Sequence, residues 1–342
     1  LKYSRGSRLP PNTRLIEAPG NEMTSSPHGT KMAEIVYSLA TGSAFYTPKI
    51  IGPEIILLNT NGYSNLLHAI DTVILEQVDI VLYAQVWEYG GNFDGGGFIN
   101  KEVDRAISSG VLWVNAAGNM GQSTWNGNIE IDDFGGVKLP FKNYSDSPFS
   151  YLRFTVPQDQ TDVKIVLSWN DFTNSKDHKT SQDLNLELLD SKNQIIDGSY
   201  LIQTGLDHSS KEYSNHAREI VHATLKPGIY NIRINAASKN FDKNSIMRVT
   251  VNGLGVRLIE RSQITTVLIP ADNPNVLTVG ATDVDYSGMT ASKPEAKMRS
   301  EVRFGLNQTH KGTSAATAIA VGSLATYISS MPRNSSKIKK LQ

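Results

Sequence analysis

The feature that most constrains the fold is a change in hydrophobic periodicity partway along the chain, which later reverses. Residues 1–125 alternate short apolar strands with helical patterns, as a parallel sheet with crossover helices requires. Over residues 126–262 an apolar residue recurs at every second position, which is typical of antiparallel strands. The strand and helix pattern then returns over residues 263–342. The sequence therefore predicts an α/β domain that is interrupted by an antiparallel β-sandwich.

Individual elements follow from the same periodicities. In the two α/β parts, apolar runs predict strands at 55–59, 78–84, 111–115 and 276–280. Helical spacing predicts helices over 32–39, 99–107 and 314–328. Gly110 stands where a left-handed residue would end the second of these helices. The first 125 residues and the last 80 or so therefore supply one sheet and its covering helices.

Composition excludes several classes of protein. The 342 residues carry 33 Lys and Arg against 33 Asp and Glu, so the chain lacks the excess of basic residues that nucleic-acid binding requires. It contains no cysteine, which excludes a disulfide framework, a cysteine nucleophile and thiolate metal sites. The longest stretch of small and apolar residues, 314–331, is diluted by Ser, Thr, Gly and Tyr. We therefore expect no nucleic-acid partner and no insertion into a membrane.

Three short motifs lie at the predicted ends of regular elements. Pro27-His28-Gly29-Thr30 precedes a helix, Asn115-Ala116-Ala117-Gly118-Asn119 follows a strand, and Gly312-Thr313-Ser314-Ala315-Ala316 opens the last helix. Taken singly, each has an ordinary structural explanation as a helix cap or a turn. Together they supply a general base, a hydrogen-bond donor for an oxyanion and a nucleophile.

These motifs resemble the histidine, oxyanion-asparagine and serine signatures of the subtilisin-like serine proteases, in the chain order of that family. The resemblance implies a subtilisin-like parallel sheet with helices on both faces and the activity of a serine endopeptidase. Its partner would be a peptide or protein substrate, and no cofactor would be needed. Secretion or display at the cell surface is favoured by the resemblance alone, and the oligomeric state is left open.

The resemblance also implies the roles of three residues. Ser314 would attack the peptide carbonyl, and His28 would take its proton and later return it to the leaving amine. Asn119 and the backbone N–H of Ser314 would bind the oxyanion. These three residues are the predicted catalytic set.

The triad aspartate is absent from its expected place. The family places it roughly thirty residues ahead of the histidine, yet none of the 27 residues before His28 is Asp, although Glu17 and Glu22 are present. A strand is predicted over 13–17, where the family has the strand that follows the aspartate turn. We therefore predict that the aspartate lies just upstream of Leu1, and we assign neither glutamate. A substituted or inactive triad is the alternative.

The segment after the third predicted strand also departs from the family pattern. Ala84-Gln85-Val86-Trp87 stands where the family has a Ser-Leu-Gly-Gly substrate-binding segment. Side chains thus replace glycines beside the cleft. The preferred residue at the cleaved bond cannot be transferred from the family.

The predicted sandwich has a resemblance of its own, to the β-sandwich that follows the catalytic domain in some alkaline subtilisins. Asp171, Asp183 and Asn185 carry oxygen atoms of the kind that calcium prefers. Polar residues on the solvent face and in turns of a sandwich explain them more simply. We therefore assign no metal and keep structural calcium as an open alternative.

Two other classes of function stay open at this point. The chain could be a catalytically inactive binding protein that keeps the subtilisin-like fold, because the triad aspartate is missing and the substrate segment is altered. It could also be a carbohydrate-binding or surface-binding protein that acts through aromatic residues of the sandwich. Reactivity of Ser314 toward a fluorophosphonate would separate the enzyme from both.

Overall fold

The computed structural model describes residues 8–17, 27–40, 54–142, 149–203, 213–304 and 308–330. These residues form a mixed α/β structure with several sheets. The helices are α1 (His28–Ala40), α2 (Tyr63–Leu75), α3 (Phe98–Ser108) and α4 (Thr313–Ser330). The strands are β1 (Arg14–Ile16), β2 (Ile56–Leu58), β3 (Ile80–Tyr83), β4 (Leu112–Ala116), β5 (Thr124–Asn128), β6 (Leu152–Val156), β7 (Thr161–Trp169), β8 (Leu184–Leu189), β9 (Ile195–Ser199), β10 (Arg218–Leu225), β11 (Gly228–Ala236), β12 (Ile246–Asn252), β13 (Arg257–Leu258), β14 (Leu277–Ala281), β15 (Ala296–Met298), β16 (Val302–Phe304) and β17 (Gln308–His310).

A four-stranded parallel sheet of order β15-β14-β4-β3 carries helices on both faces. Successive residues of β4 point to opposite faces: Val114 packs in one apolar cluster with residues of α1 and α4, whereas Trp113 packs in another with residues of α2 and α3. Helix α4 approaches α1 closely because its facing residues are small. A Cβ added at Gly322 would lie 2.8 Å from Cβ of Leu39, so glycine permits this crossing.

Strands β5 to β13 form two antiparallel sheets, of order β10-β7-β12-β5 and β13-β6-β11-β8-β9. In the part of the chain that the structure describes, none of these strands pairs with the parallel sheet. Alternate residues of β6 are buried, including Phe154, and Leu167 of β7 and Ile232 of β11 are buried as well. The resulting core continues toward the parallel sheet, since the ring of Phe172 lies 5.9 Å from that of Phe98 on α3. The two antiparallel sheets are therefore packed against the α/β part through apolar contacts.

The predicted elements of the α/β parts agree with the observed ones to within a few residues, but helix α2 and the short strands β15, β16 and β17 were not predicted. The predicted strands at 55–59, 78–84, 111–115 and 276–280 contain or overlap β2, β3, β4 and β14. Gly110 has φ of +100° directly after α3, which confirms the predicted left-handed helix end. Helix α1 begins at His28 itself, whereas Pro27-His28-Gly29-Thr30 was predicted to precede the helix. Helix α2 was not predicted, although Leu66, Ala69, Ile70 and Val73 lie at helical spacing and are buried.

A buried carboxyl group lies in the sandwich, at Glu219 on β10. Its oxygens accept hydrogen bonds from the hydroxyl of Ser199, the side-chain amide of Gln203 and the backbone N–H of Leu201. Burial raises the pKa of Glu219 to about 7, the hydrogen bonds oppose this shift, and the nearby Asp183 adds to it. The folded state therefore favours the protonated form of Glu219.

This raised pKa predicts how the stability of the sandwich depends on pH. The folded-state pKa lies above that of an unfolded glutamate, so the stabilisation is fully present below about pH 4.5 and is lost as the pH rises through about 7. We expect the free energy of unfolding to fall across that window by up to about 3 kcal/mol from this group, and Glu219→Gln to remove that component. Urea unfolding at pH 5 and pH 8 measures it, with the exposed Glu130→Gln as control. Equal pH dependence in both variants would contradict the expectation.

Candidate active site

The first residue of the candidate site, His28, begins helix α1 and is half-buried. Burial lowers the pKa of His28 below its ordinary value of about 6.5, and the nearby ammonium of Lys31 lowers it further. A hydrogen bond to the backbone of Ala84 opposes these effects. His28 therefore faces the segment that follows β3.

The second residue, Ser314, lies in the first turn of α4 and is only 8% exposed. Its hydroxyl Oγ donates to the carbonyl oxygen of Ala84 at 3.4 Å. The side chains of His28 and Ser314 therefore both lie near the backbone of Ala84, although they are 286 positions apart (314 − 28).

The third residue, Asn119, follows β4 and is exposed. Its Oδ1 accepts hydrogen bonds from the backbone N–H of Thr313 at 3.1 Å and from the hydroxyl of Thr313 at 3.0 Å. Since the backbone N–H can only donate, the oxygen of the amide must face Thr313. The Nδ2 group is thereby left as a hydrogen-bond donor beside the residue that precedes Ser314. Gly312, with φ of +120°, allows this close approach, because a Cβ there would lie 3.1 Å from Nδ2.

The structure thus brings the three sequence-predicted residues to one end of the parallel sheet. The first N–H groups of an α-helix have no partner within the helix, so the backbone at Ser314 is suited to bind negative charge. A histidine with a lowered pKa is neutral at pH 7 and can accept a proton. The set comprises a hydroxyl, a basic imidazole and a fixed amide donor, which is the chemical equipment for acyl transfer.

The side chain of Val86 lies beside this set. Gly118 has φ of +87°, and a Cβ added to it would lie 3.3 Å from Cγ1 of Val86. The isopropyl group of Val86 therefore packs directly against the backbone that leads to Asn119. The adjacent carbonyl of Gln85 accepts a hydrogen bond from the side chain of Asn115 at 3.1 Å. The departure from the glycine-rich family segment thus places a branched side chain between the ends of β3 and β4.

The acid partner of His28 is not found among the described residues. No carboxylate in that part of the chain contributes to the pKa of His28. Glu17 is exposed and directly follows β1, and Glu22 lies outside the described residues. The expected aspartate upstream of Leu1 stays a prediction.

The structure shows the surroundings of the three residues that were considered as calcium ligands. Asp171 accepts a hydrogen bond from the hydroxyl of Thr180. Asp183 is buried, and burial raises its pKa. Asn185 lies on β8 opposite Asn235 of β11. Within the described ranges, no group of three or more His, Cys, Asp or Glu side chains could hold a metal ion, and no helix is both long and apolar enough to cross a membrane.

Comparison with known proteins adds evidence on the fold. No protein-family model matches the chain, and no curated protein sequence matches it. Among solved structures, the chain is similar to the CspB protease of Clostridium perfringens, with a TM-score of 0.53 and 13% identity over 86% of this chain and 68% of that one.

Two β-glucosidase structures are also found, with much lower TM-scores. DesR of Streptomyces venezuelae has a TM-score of 0.20 and 11% identity over 68% of this chain and 29% of that one. The β-glucosidase of Kluyveromyces marxianus has a TM-score of 0.21 and 12% identity over 81% of this chain and 42% of that one. Scores this low carry no argument. The chain therefore has a mixed α/β fold similar to that of a protease.

Proposed function

We propose that this chain is a serine endopeptidase with a subtilisin-like α/β core, into which residues 126–262 are inserted as a β-sandwich domain. The observation that carries the proposal is the convergence of the His28 ring and the Ser314 hydroxyl on the backbone of Ala84. The amide of Asn119, fixed by Thr313, stands beside them. Similarity to the fold of a protease supports the same conclusion.

In the proposed reaction, Oγ of Ser314 attacks the carbonyl carbon of the substrate while His28 accepts the hydroxyl proton. The carbonyl oxygen becomes an oxyanion, which accepts hydrogen bonds from Nδ2 of Asn119 and the backbone N–H of Ser314. Cleavage of the C–N bond releases the amine, which takes its proton from His28. Water then attacks the acyl-enzyme, again with His28 as the base, and restores the Ser314 hydroxyl.

A carboxylate on the second ring nitrogen of His28 completes this mechanism. It would fix the tautomer of the ring and stabilise the imidazolium, and loss of such a group typically lowers turnover by about 10⁴-fold. We propose that an aspartate outside the described residues fills this role, as the predicted position upstream of Leu1 implies. The remaining contacts of His28 and Ser314 do not depend on it.

A binding protein that keeps the fold without turnover is the second candidate. The position of Val86 favours it, because the side chain occupies space beside Asn119 where the resembled family has glycine. Under this alternative, extended peptides would bind at the ends of β3 and β4 without being cleaved.

Time-dependent inhibition by a fluorophosphonate, followed on a fluorescent casein substrate, separates the two candidates. The enzyme is expected to hydrolyse casein and to lose that activity in proportion to incorporation of one phosphonyl group per chain. A folded protein that neither hydrolyses casein nor takes up the probe would be a binding protein, and the proposed function would be wrong.

The lowered pKa of His28 predicts the acidic limb of the pH profile. Turnover requires a neutral imidazole, and a lowered pKa keeps the ring neutral further into acid. We expect kcat/KM to fall as the pH drops through the pKa of His28, because the imidazole is then protonated. Peptide hydrolysis measured from pH 4.5 to 9 checks this, with Lys31→Gln expected to move the midpoint upward because that cation contributes to the lowering. An acidic midpoint that does not move in Lys31→Gln would contradict the assignment of His28 as the base.

The position of Val86 predicts that the substrate side chain next to the cleaved bond must be small. Because its isopropyl group packs on Gly118 next to Asn119, we expect only small substrate side chains to enter between β3 and β4. Val86→Gly is expected to raise kcat/KM about tenfold for peptides with a large apolar residue there, about the effect of one or two added methylenes. Val81→Ala, on β3 at a distance along the chain, serves as control. Unchanged selectivity in Val86→Gly would overturn this expectation.

A further inference from the structure

A cavity of about 450 Å³ lies between the α/β part and the sandwich. One wall is the start of α2, the second is the segment that follows β3, and the third is residues 213–218, which lead into β10. No role of this cavity follows from the mechanism above. The lining residues that matter for its chemistry are Tyr63, Trp87, Tyr89, Lys176, Asp177 and Arg218.

The cavity is within reach of a substrate held at Ser314. Trp87 lines the cavity and is three residues after Ala84, whose carbonyl contacts Ser314. Three residues span at most about 11 Å even when fully extended. A peptide running from Ser314 along this segment would therefore bring a side chain a few residues from the cleaved bond into the cavity.

The cavity combines aromatic walls with positive charge. Trp87 and Tyr89 meet edge to face with their ring centroids 6.3 Å apart. The guanidinium carbon of Arg218 lies 4.1 Å from the centroid of the Tyr89 ring, and the ammonium of Lys176 lies 5.6 Å from that of Tyr63.

Two positive groups thus face one negative group, because Asp177 is the acidic residue among the lining residues. In the part of the chain that the structure describes, the guanidinium of Arg218 forms no ion pair with a carboxylate. A planar guanidinium presents paired N–H donors that match a carboxylate, and stacking on Tyr89 holds it in position.

We propose that this cavity is a subsite for an acidic side chain, Asp or Glu, of an extended peptide substrate, two to four residues from the bond that Ser314 cleaves. The proposal rests on the proposed function, since it assigns a substrate class to the same site. Arg218, which belongs to the sandwich, determines this specificity. The inserted sheets then contribute directly to substrate recognition.

Cleavage of a proteome-derived peptide library tests the subsite. We expect Asp and Glu to be enriched at one position near the cleaved bond, and Arg218→Gln to lower kcat/KM for an acidic peptide about tenfold while the matched amide peptide is unaffected. Arg257→Gln is the matched control, because Arg257 and its partner Asp285 are both exposed on the surface. Equal cleavage of acidic and amide peptides by the unmodified protein would overturn the subsite, and the proposed function would stand.

A binding measurement keeps the test independent of turnover. Two fluorescent decapeptides, one with Glu at alternate positions and one with Gln, are titrated into the Ser314→Ala variant and followed by anisotropy. The alternating design lets one acidic side chain reach the cavity in any register. We expect the Glu peptide to bind about tenfold tighter, and Arg218→Gln in the same background to remove the difference. Equal affinities would overturn the subsite, whereas tight binding by a protein that fails to cleave would overturn only the proposed function.

Discussion

Ser314→Ala is expected to abolish peptide hydrolysis, lowering kcat by about 10⁶-fold, as is typical when the nucleophile of a coupled catalytic set is removed. The Oγ atom is the only group of the side chain that bonds to the substrate in the proposed reaction, so nothing else can supply its chemistry. Hydrolysis of a fluorogenic peptide at saturating concentration measures the loss. Substrate binding should persist, because the backbone of α4 and the Asn119 amide are retained.

The variant should fold, which makes its loss of activity interpretable. Alanine fits the space of Ser314, and the lost hydrogen bond to Ala84 is long, at 3.4 Å. Ser323→Ala is the matched control, because its exposed hydroxyl on the same helix donates only to the carbonyl of Ile319. If Ser323→Ala is fully active and Ser314→Ala is inactive, the assignment of Ser314 as the nucleophile is supported. Substantial hydrolysis by folded Ser314→Ala would show that another group is the nucleophile.

Asn119→Ala is expected to lower kcat by about 10²-fold to 10³-fold with little change in KM, the usual effect of removing one oxyanion donor. The donor acts on charge that develops only in the transition state, so binding of the substrate itself is little affected. Steady-state kinetics on the best peptide from the library separates the two parameters. A loss confined to KM would contradict the role of Asn119 as an oxyanion donor.

The asparagine also holds α4, so its anchoring role needs a separate control. Thr313→Val removes the hydroxyl that donates to Oδ1 of Asn119 but keeps the backbone N–H contact and the Nδ2 donor. We expect this variant to lose about tenfold or less in kcat. If Thr313→Val and Asn119→Ala lost equal activity, Asn119 would act only by positioning the start of α4.

Local sequence patterns were sufficient to predict several strands and helices whose apolar residues recur at a fixed spacing. Alternation in β7 and β8 predicted residues that are buried, such as Leu167 and Leu186, because the period of a strand is fixed by its backbone. It did not predict that residues on the opposite faces, such as Ser168 and Glu187, are buried too. The spacing of apolar residues before Gly110 predicted α3 and its end for a similar reason. Helix α2 was missed although its apolar residues Leu66, Ala69, Ile70 and Val73 have the same helical spacing.

The candidate site was predictable only as three separate signatures. His28, Asn119 and Ser314 carry recognisable neighbours in the chain, and chemistry restricts which residues can stand there. The backbone of Ala84, near which both His28 and Ser314 lie, has no signature, because every residue has a backbone carbonyl. A contact of this kind arises from the topology of the sheet.

The residues that line the cavity were even less predictable from the sequence. Tyr63, Tyr89 and Arg218 lie apart in the chain, and none of them has a sequence motif around it that indicates a binding site. Their meeting depends on how the sandwich packs against α2 and α3, which no pattern within a single segment encodes. An aromatic and basic cavity of this type could therefore be found only from the structure.

The most direct test of Ser314 as the catalytic nucleophile is to locate the covalent adduct that a fluorophosphonate forms with the protein. The intact chain is treated with the probe, digested and analysed by mass spectrometry. We expect one phosphonyl group, on the peptide that contains Ser314. We expect no adduct when His28 is replaced by alanine, because the serine is then not activated. Absence of the adduct from folded protein, or an adduct on a different serine, would contradict the assignment of Ser314 as the nucleophile.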